Sequence, residues 1–235
     1  MIKLINRLGT EKILPITMSW RNVPLDIQIP NQPLYGVQGA SKTGKSNIVP
    51  RQIILQGGFY HTDKNQIRQE IDNLLPFLMQ PPIRIYQQHD DERYLLAELS
   101  GAPQDWLKRR SELQIRIILI ALDPFFYGPE VNIVVDGIAN IQVAGNARVS
   151  PLVRTTGSVS NLTLTHNYTG QVIEVSGATG IIEVDNNEST CKVGANNRLD
   201  LINEDWLLDG FSLTPGLNQL VSSTAVNVIY KPKWY

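Results

Sequence analysis

The chain has 235 residues, with 21 Lys and Arg against 22 Asp and Glu, and a net charge of -1. This balance argues against a basic nucleic-acid clamp and against a polybasic membrane binder. A single cysteine, Cys191, excludes an intramolecular disulfide and a cysteine zinc cluster, and the length suits two domains of about 100–130 residues each.

Short strands dominate the first half of the chain. β-branched or alternating segments bounded by Gly, Pro, Asn or charges predict strands over residues 13–18, 26–29, 51–60, 83–87, 94–99 and 113–122. The longest apolar run, residues 117–122, is far too short to cross a bilayer, and the start of the chain has no signal-like apolar segment. We therefore expect a protein made in the cytoplasm, without a membrane anchor.

Residues 31–50 contain a perfect match to the phosphate-binding loop pattern, Gly39 to Ser46. That chemistry requires a buried strand before the loop and a helix after it, so that backbone amides surround the phosphates. Here Pro50 interrupts any following helix, and the surrounding pattern is antiparallel β. We interpret the stretch as a β-hairpin arm, and a nucleotide hydrolase using Lys45 and Ser46 is the weaker alternative.

One amphipathic helix is predicted over residues 65–79. Asp63 can cap its N-terminus, and Pro81 with Pro82 stops it. Its apolar residues recur at helical spacing, which predicts that it packs on the first sheet: Ile67, Ile71, Leu74, Leu75 and Leu78.

Candidate catalytic residues are few. The three histidines, His61, His89 and His166, belong to no catalytic signature, and the acidic stretch after His89 is typical of a solvated turn. Cys191 has no histidine nearby in the sequence and is predicted to be a buried, inert thiol. We expect no enzyme activity, no cofactor and no metal.

The pattern changes after Gly128. Frequent turn dipeptides separate short strands predicted at 159–165, 171–175, 181–184, 218–222 and 226–230, which favours a β-sandwich or jelly roll. The aromatic residues of this half predict either a core and domain seal or a sugar-stacking platform: Tyr168, Trp206, Phe211, Tyr230, Trp234 and Tyr235.

Several segments resemble, in order, the distal tail protein (Dit) family of siphophages. They are residues 50–59, the helix, residues 113–128 with their Asp-Pro-aromatic ending, the hairpin 211–220 and the closing strand with its aromatic tail at 226–235. The resemblance spans most of the chain and implies the compact form of the family, without an inserted carbohydrate-binding module.

The resemblance implies a mainly β fold with one or two helices. Residues 1–130 would form a split-barrel or β-sandwich-like ring domain with a helix and the hairpin arm, and residues 131–235 a galectin-like β-sandwich. The function implied is a hexameric ring adaptor in the virion, between the distal end of the tail tube and the baseplate or tail-fibre hub.

The partners implied are five further copies, the tail tube protein and the tail-associated hub or fibre protein, with a receptor-binding protein as a further candidate. DNA would pass through the lumen without specific binding. The candidate subunit-interface residues are Tyr35, Gly39, Lys42, Gly44, Lys45, Arg51 and Phe59. Two alternatives stay open: a carbohydrate-binding module for host adhesion, tested at Trp206 or Trp234, and a related tail tube or baseplate hub protein.

Overall fold

The structure is a computed structural model that describes residues 2–15, 17–22, 27–28, 31–33, 40–42, 47–48, 50–61, 63–87, 90–109 and 112–235. The chain divides into two compact units, Met1–Phe126 and Tyr127–Tyr235. No helix within the described ranges is long and apolar enough to cross a membrane.

The first unit is built from short strands and one helix, α1 (Lys64–Leu78). In chain order its strands are β1 (Ile2–Ile5), β2 (Glu11–Leu14), β3 (Ser19–Asn22), β4 (Ile27–Gln28), β5 (Asn31–Pro33), β6 (Ala40–Lys42), β7 (Asn47–Ile48), β8 (Arg51–Tyr60), β9 (Ile83–Gln87), β10 (Asp90–Leu99), β11 (Gln104–Arg109) and β12 (Glu112–Ala121); β13 (Phe126–Tyr127) follows at the boundary between the units.

The main sheet of this unit runs β2-β1-β9-β10-β12-β8-β3, and β11 also pairs with β12. Its central pair is β8 with β12, antiparallel from Tyr60 opposite Glu112 to Arg51 opposite Ala121. Alternate residues of both strands face the core, because successive side chains of a strand point to opposite faces. The buried members on this face include Ile53, Leu55, Phe59, Ile115, Ile117 and Leu119.

Helix α1 covers this core. The Asp63 carboxylate accepts the Asn65 N–H at 2.9 Å, which confirms the predicted cap. The helix ends at Leu78, before the Pro81-Pro82 pair. The predicted apolar face needs one correction, since Leu75 is 38% exposed and Phe77 is buried in its place.

The second unit is a β-structure with one short helix, α2 (Glu204–Asp209), and a 3-10 turn at Leu199–Leu201. Its strands are β14 (Val131–Val143), β15 (Leu152–Thr155), β16 (Val159–His166), β17 (Val172–Gly180), β18 (Ile182–Asp185), β19 (Thr190–Val193), β20 (Asn196–Asn197), β21 (Gly216–Tyr230) and β22 (Lys233–Trp234).

Strand β21 organises this unit. It pairs with β14 along its length, with β16 through its first half and with β15 through its second half. The prediction of two strands at 218–222 and 226–230 was wrong, because residues 223–225 form a register shift inside one continuous strand. The fold is mainly β with two helices, as the sequence predicted.

Candidate functional site

Within residues 31–50, predicted to form the hairpin arm, the structure describes β5, β6, β7 and Pro50. Strands β5 and β6 pair in an antiparallel ladder, in which Asn31, Gln32 and Pro33 face Lys42, Ser41 and Ala40. A second antiparallel ladder pairs β4 with β7. This pairing is that of hairpin strands.

The observed strand pairing argues against a phosphate-binding loop at the paired residues. Ala40–Lys42 and Asn47–Ile48 are both antiparallel strands, whereas a phosphate-binding loop opens into a helix after its Lys-Ser pair. The nucleotide-hydrolase alternative is therefore not supported. Of the predicted interface residues, Lys42 ends β6, while Tyr35, Gly39, Gly44 and Lys45 lie outside the described residues.

Arg51, at the start of β8, is 7% exposed on the core face of the sheet. Its guanidinium carbon lies 5.1 Å from the centre of the Phe126 ring, and that ring stacks on Trp20 with the ring centres 6.4 Å apart. Burial lowers the pKa of Arg51, and its Nε has no hydrogen-bond acceptor within the described part of the chain. Arg51 is thus a buried cation that lies against an aromatic face.

Phe59, at the other end of β8, is 4% exposed and borders a surface groove of about 480 Å³. The groove lies between β2, which contributes Lys12 and Ile13, and α1, which contributes Glu70. Burial lowers the pKa of Lys12, and the charge of Glu70 partly opposes that effect. The groove therefore combines an apolar wall with two charges of opposite sign.

Arg51 and Phe59 do not form a single site. Phe59 is eight positions after Arg51, which corresponds to about 26 Å along β8 at 3.3 Å per residue. The groove residues Lys12, Ile13 and Glu70 were not singled out by the sequence. Glu70 lies on the polar side of an amphipathic helix, and its position in the sequence does not predict that β2 lies beside it.

The second unit holds a buried polar cluster around Asn218 and His166, which are both fully buried. Asn218 Nδ2 donates to the carbonyls of Thr214 and Gly216 at 2.8 and 2.9 Å, so its Oδ1 faces His166. His166 Nε2 lies 2.8 Å from that oxygen, and the Thr169 N–H donates to His166 Nδ1 at 3.3 Å. These contacts place the ring proton on Nε2.

The aromatic residues of this unit do not gather into one exposed platform. Trp206 is 3% exposed, and its indole Nε1 donates to Asn186 Oδ1 at 2.5 Å. Phe211 and Tyr230 are also buried, whereas Tyr168 and Tyr235 are exposed. Because the Trp206 ring is buried in the core, it cannot stack on a sugar, and the sugar-stacking interpretation is wrong for this residue.

Cys191 is fully buried, as predicted. Burial raises the pKa of its thiol to about 11, and the charge of Asp200 adds to the effect. A thiol in this state is a poor nucleophile, because the thiolate is the reactive form. Within the described residues, no group of three or more His, Cys, Asp or Glu side chains is placed to hold a metal ion.

The chain is similar to known proteins in both sequence and fold. Residues 144–234 match the family described as the siphovirus-type tail component, C-terminal domain. No curated protein matches the chain. The matched residues lie within the second unit.

The whole chain is similar in fold to the crystal structure of Dit from phage SPP1, which is described as a paradigm of the hub adsorption apparatus of phages that infect Gram-positive hosts. The identity is 15% and the TM-score 0.77, over 100% of both chains. A chain of the phage P2 baseplate in its activated conformation with Ca is 11% identical with a TM-score of 0.50, over 97% of each chain. The resemblance to the siphovirus Dit family is confirmed in the fold of the whole chain and in the family match of residues 144–234.

Proposed function

We propose that this protein is a hexameric ring adaptor that joins the distal end of a phage tail tube to the baseplate or tail-fibre hub. The single observation that carries the proposal is the similarity to SPP1 Dit over the full length of both chains, which includes both units and the hairpin arm. The role is structural rather than catalytic, and its location is the tip of the virion tail.

The charge of the chain suits a conduit for DNA. Each phosphate that a protein neutralises adds affinity through counterion release, and this would retain DNA in a channel that it must leave. A net charge of -1 avoids such retention, provided that the side chains that line the lumen are neutral or acidic. We infer that DNA passes through the lumen of the ring without specific binding.

A ring of identical subunits closes through two different surfaces that fit each other. Long hairpins can supply one such surface by adding strands to the exposed sheet edge of a neighbour. We therefore assign subunit contacts to residues 31–50 and to part of the first sheet. The candidate residues are Tyr35, Gly39, Lys42, Gly44, Lys45, Arg51 and Phe59.

Electron microscopy of the purified protein tests the proposal most directly. We expect particles with six-fold symmetry and a central hole, and native mass spectrometry should give the mass of a hexamer. A chain that stays monomeric at all concentrations and is absent from tails would contradict the ring.

Deletion of residues 38–47 tests the arm. The shortened protein should keep the main sheet of the first unit, because the deletion removes β6 and Asn47 and no residue of that sheet, but it should lose ring formation and tail assembly. Intact rings and tails from the deleted protein would refute the contribution of the arm.

A further inference from the structure

The outer face of the second unit's sheet is almost free of charge where β14, β21 and β16 lie side by side. These strands contain 13, 15 and 8 residues, and Asp136 is the only Asp, Glu, Lys or Arg among them. In the whole chain, 18% of the residues are charged. The side chains that alternate with the buried ones are mostly amides, hydroxyls and aliphatic groups. This face therefore offers hydrogen bonds and apolar contact with little charge.

Three amide side chains form a row across these strands, which we call the amide row: Asn140, Gln219 and Asn167. Gln219 of β21 lies opposite Asn140 of β14, and its Nε2 donates to Asn140 Oδ1 at 3.2 Å. Asn167, which follows β16, donates from Nδ2 to Gln219 Oε1 at 2.7 Å. The row is about 10 Å long, because neighbouring strands lie about 4.8 Å apart. Since its members hold one another in place, they lose little conformational freedom when a ligand binds.

The two ends of the amide row offer opposite hydrogen-bonding groups. Among the described residues, Asn140 Nδ2 has no acceptor and Asn167 Oδ1 has no donor. Both residues are exposed. A hydroxyl group both donates and accepts, so a ligand with several hydroxyl groups can satisfy both ends of the row.

Apolar surface lies beside the amide row and at its end. Ile138 is on the same face of β14 as Asn140, is 69% exposed and lies opposite Val221 of β21. Tyr168, at the far end of the row, is 59% exposed, and its ring meets the buried His166 ring edge-on, with the ring centres 6.2 Å apart. A sugar ring presents C–H groups that pack on apolar and aromatic side chains, and hydroxyl groups that bind amides.

We propose that the amide row, together with Ile138 and Tyr168, is a binding site for an uncharged saccharide. The proposal goes beyond the ring-adaptor role and does not depend on it. An anionic polymer is a poor ligand for this face, because β14, β16 and β21 contain no Lys or Arg to neutralise it. A protein partner fits less well, because protein interfaces are centred on buried aromatic and Arg anchors rather than on paired amides.

A glycan array probed with the full chain tests the class of ligand. The array displays uncharged oligosaccharides of glucose, galactose, rhamnose and N-acetylglucosamine beside sialylated and sulfated ones. We expect binding to one or more of the uncharged glycans and none to the anionic ones. Calorimetric titration with the uncharged glycan that gives the strongest signal then measures Kd.

Substitutions locate the site. Gln219→Ala removes the centre of the amide row and Tyr168→Ala removes the exposed ring, and each should weaken binding about tenfold. The matched control is Asn132→Ala, which should leave Kd unchanged. Asn132 is another exposed Asn of β14, eight positions before Asn140 and therefore about 26 Å away along the strand.

Hydrogen exchange of the wild-type chain adds a measurement that does not depend on the folding of a variant. Addition of the glycan should slow exchange in peptides that cover residues 138–142, 165–169 and 217–221, and should leave peptides of the first unit unchanged. Slower exchange in other peptides only would place the glycan elsewhere and overturn the site.

The other outcomes are equally decisive. Binding to no uncharged glycan, or a preference for sialylated or sulfated ones, would overturn the proposal. Equal Kd values for Gln219→Ala, Tyr168→Ala and Asn132→Ala would do the same. Protection of residues 138–142 in rings relative to monomers would show that another copy covers this face, which would also overturn it. The ring proposal would survive each of these results, because electron microscopy tests it separately.

Discussion

The two units treat their buried polar groups differently. In the second unit, Asn218 makes hydrogen bonds with both its amide nitrogen and its oxygen, and both ring nitrogens of His166 have partners. In the first unit, Nε of Arg51 and Nε of Arg116 are buried without a hydrogen-bond partner in the described structure. A buried unpaired donor costs about 1–3 kcal/mol, and more when the group is charged.

This difference indicates which unit satisfies its buried polar groups within its own chain. Among the described residues of the second unit, no buried side-chain nitrogen or oxygen lacks a hydrogen-bond partner. The first unit keeps two buried guanidinium Nε atoms without a hydrogen-bond partner, an open groove and two unpaired sheet ends within the described residues. A unit of this kind gains more from neighbouring copies, which agrees with the ring-forming role proposed for it.

The largest effect is expected from Asn218→Ala. The change leaves His166 Nε2, the Thr214 N–H and two carbonyls without partners in a buried site. We expect the second unit to lose about 3 kcal/mol of unfolding free energy. Urea unfolding monitored by hydrogen exchange of peptides from residues 127–235 measures it.

The matched control for that change is Asn140→Ala. Asn140 is exposed and accepts one hydrogen bond, from Gln219 Nε2 at 3.2 Å. Its replacement should cost about 0.5 kcal/mol or less. Similar losses for Asn218→Ala and Asn140→Ala would show that the buried cluster does not stabilise the unit as its geometry indicates.

Gly145→Ala should disturb the closure of the second unit by its last strand. The Lys233 carbonyl accepts the N–H groups of Asn146 and Ala147 at 3.0 and 3.2 Å. A Cβ at Gly145 would lie 2.2 Å from that oxygen, and the residue has φ of +97°. We expect a loss of about 2 kcal/mol in unfolding free energy, together with faster hydrogen exchange at residues 231–235.

Gly170→Ala separates the clash from the backbone preference. Gly170 has φ of +74°, and nothing lies within 4 Å of its ideal Cβ. Only the left-handed conformation is then penalised, by about 1 kcal/mol. An equal loss at both glycines, with unchanged exchange of the C-terminal residues, would contradict the role of the Lys233 contact.

Arg51→Met tests the other side of the comparison. Since Nε is unpaired and the guanidinium rests on Phe126, removal of the charge should change the stability of the single chain by less than about 1 kcal/mol. Thermal unfolding at a concentration that keeps the protein monomeric measures this. A loss above about 2 kcal/mol would show that the first unit already satisfies Arg51 by itself.

Local sequence patterns predicted the helix and the strands that are bounded by residues such as proline, which interrupt regular structure. The predicted bounds of β8 and β9 agree with the structure, and the helix begins and ends one residue earlier than expected. Strand β21 was split in the prediction because Ser223, Thr224 and Ala225 have the composition of a turn, whereas pairing with β14 keeps them in one strand. Long strands with a bulge are decided by tertiary pairing, which a local pattern does not contain.

The candidate site was less predictable than the fold. Arg51 and Phe59 were identified through the family resemblance, but their surroundings come from distant parts of the chain: Phe126 for Arg51, and β2 for Phe59. The neighbours of a side chain depend on sheet order and register. Both arise from long-range pairings, such as β1 with β9, for which a single sequence has no direct signal.

The effect of Cys191 appears only in alkaline solution. Burial raises the pKa of its thiol from 9.0 to about 11. The folded chain therefore holds a proton that the unfolded chain releases above pH 9, so this contribution to stability is complete below pH 9 and is lost as the pH rises to about 11. Urea midpoints of wild type and Cys191→Ala should converge over that range. A parallel pH dependence of the two proteins would show that the buried thiol titrates as it does in the unfolded chain, and that the interior of the second unit is open to solvent at β19.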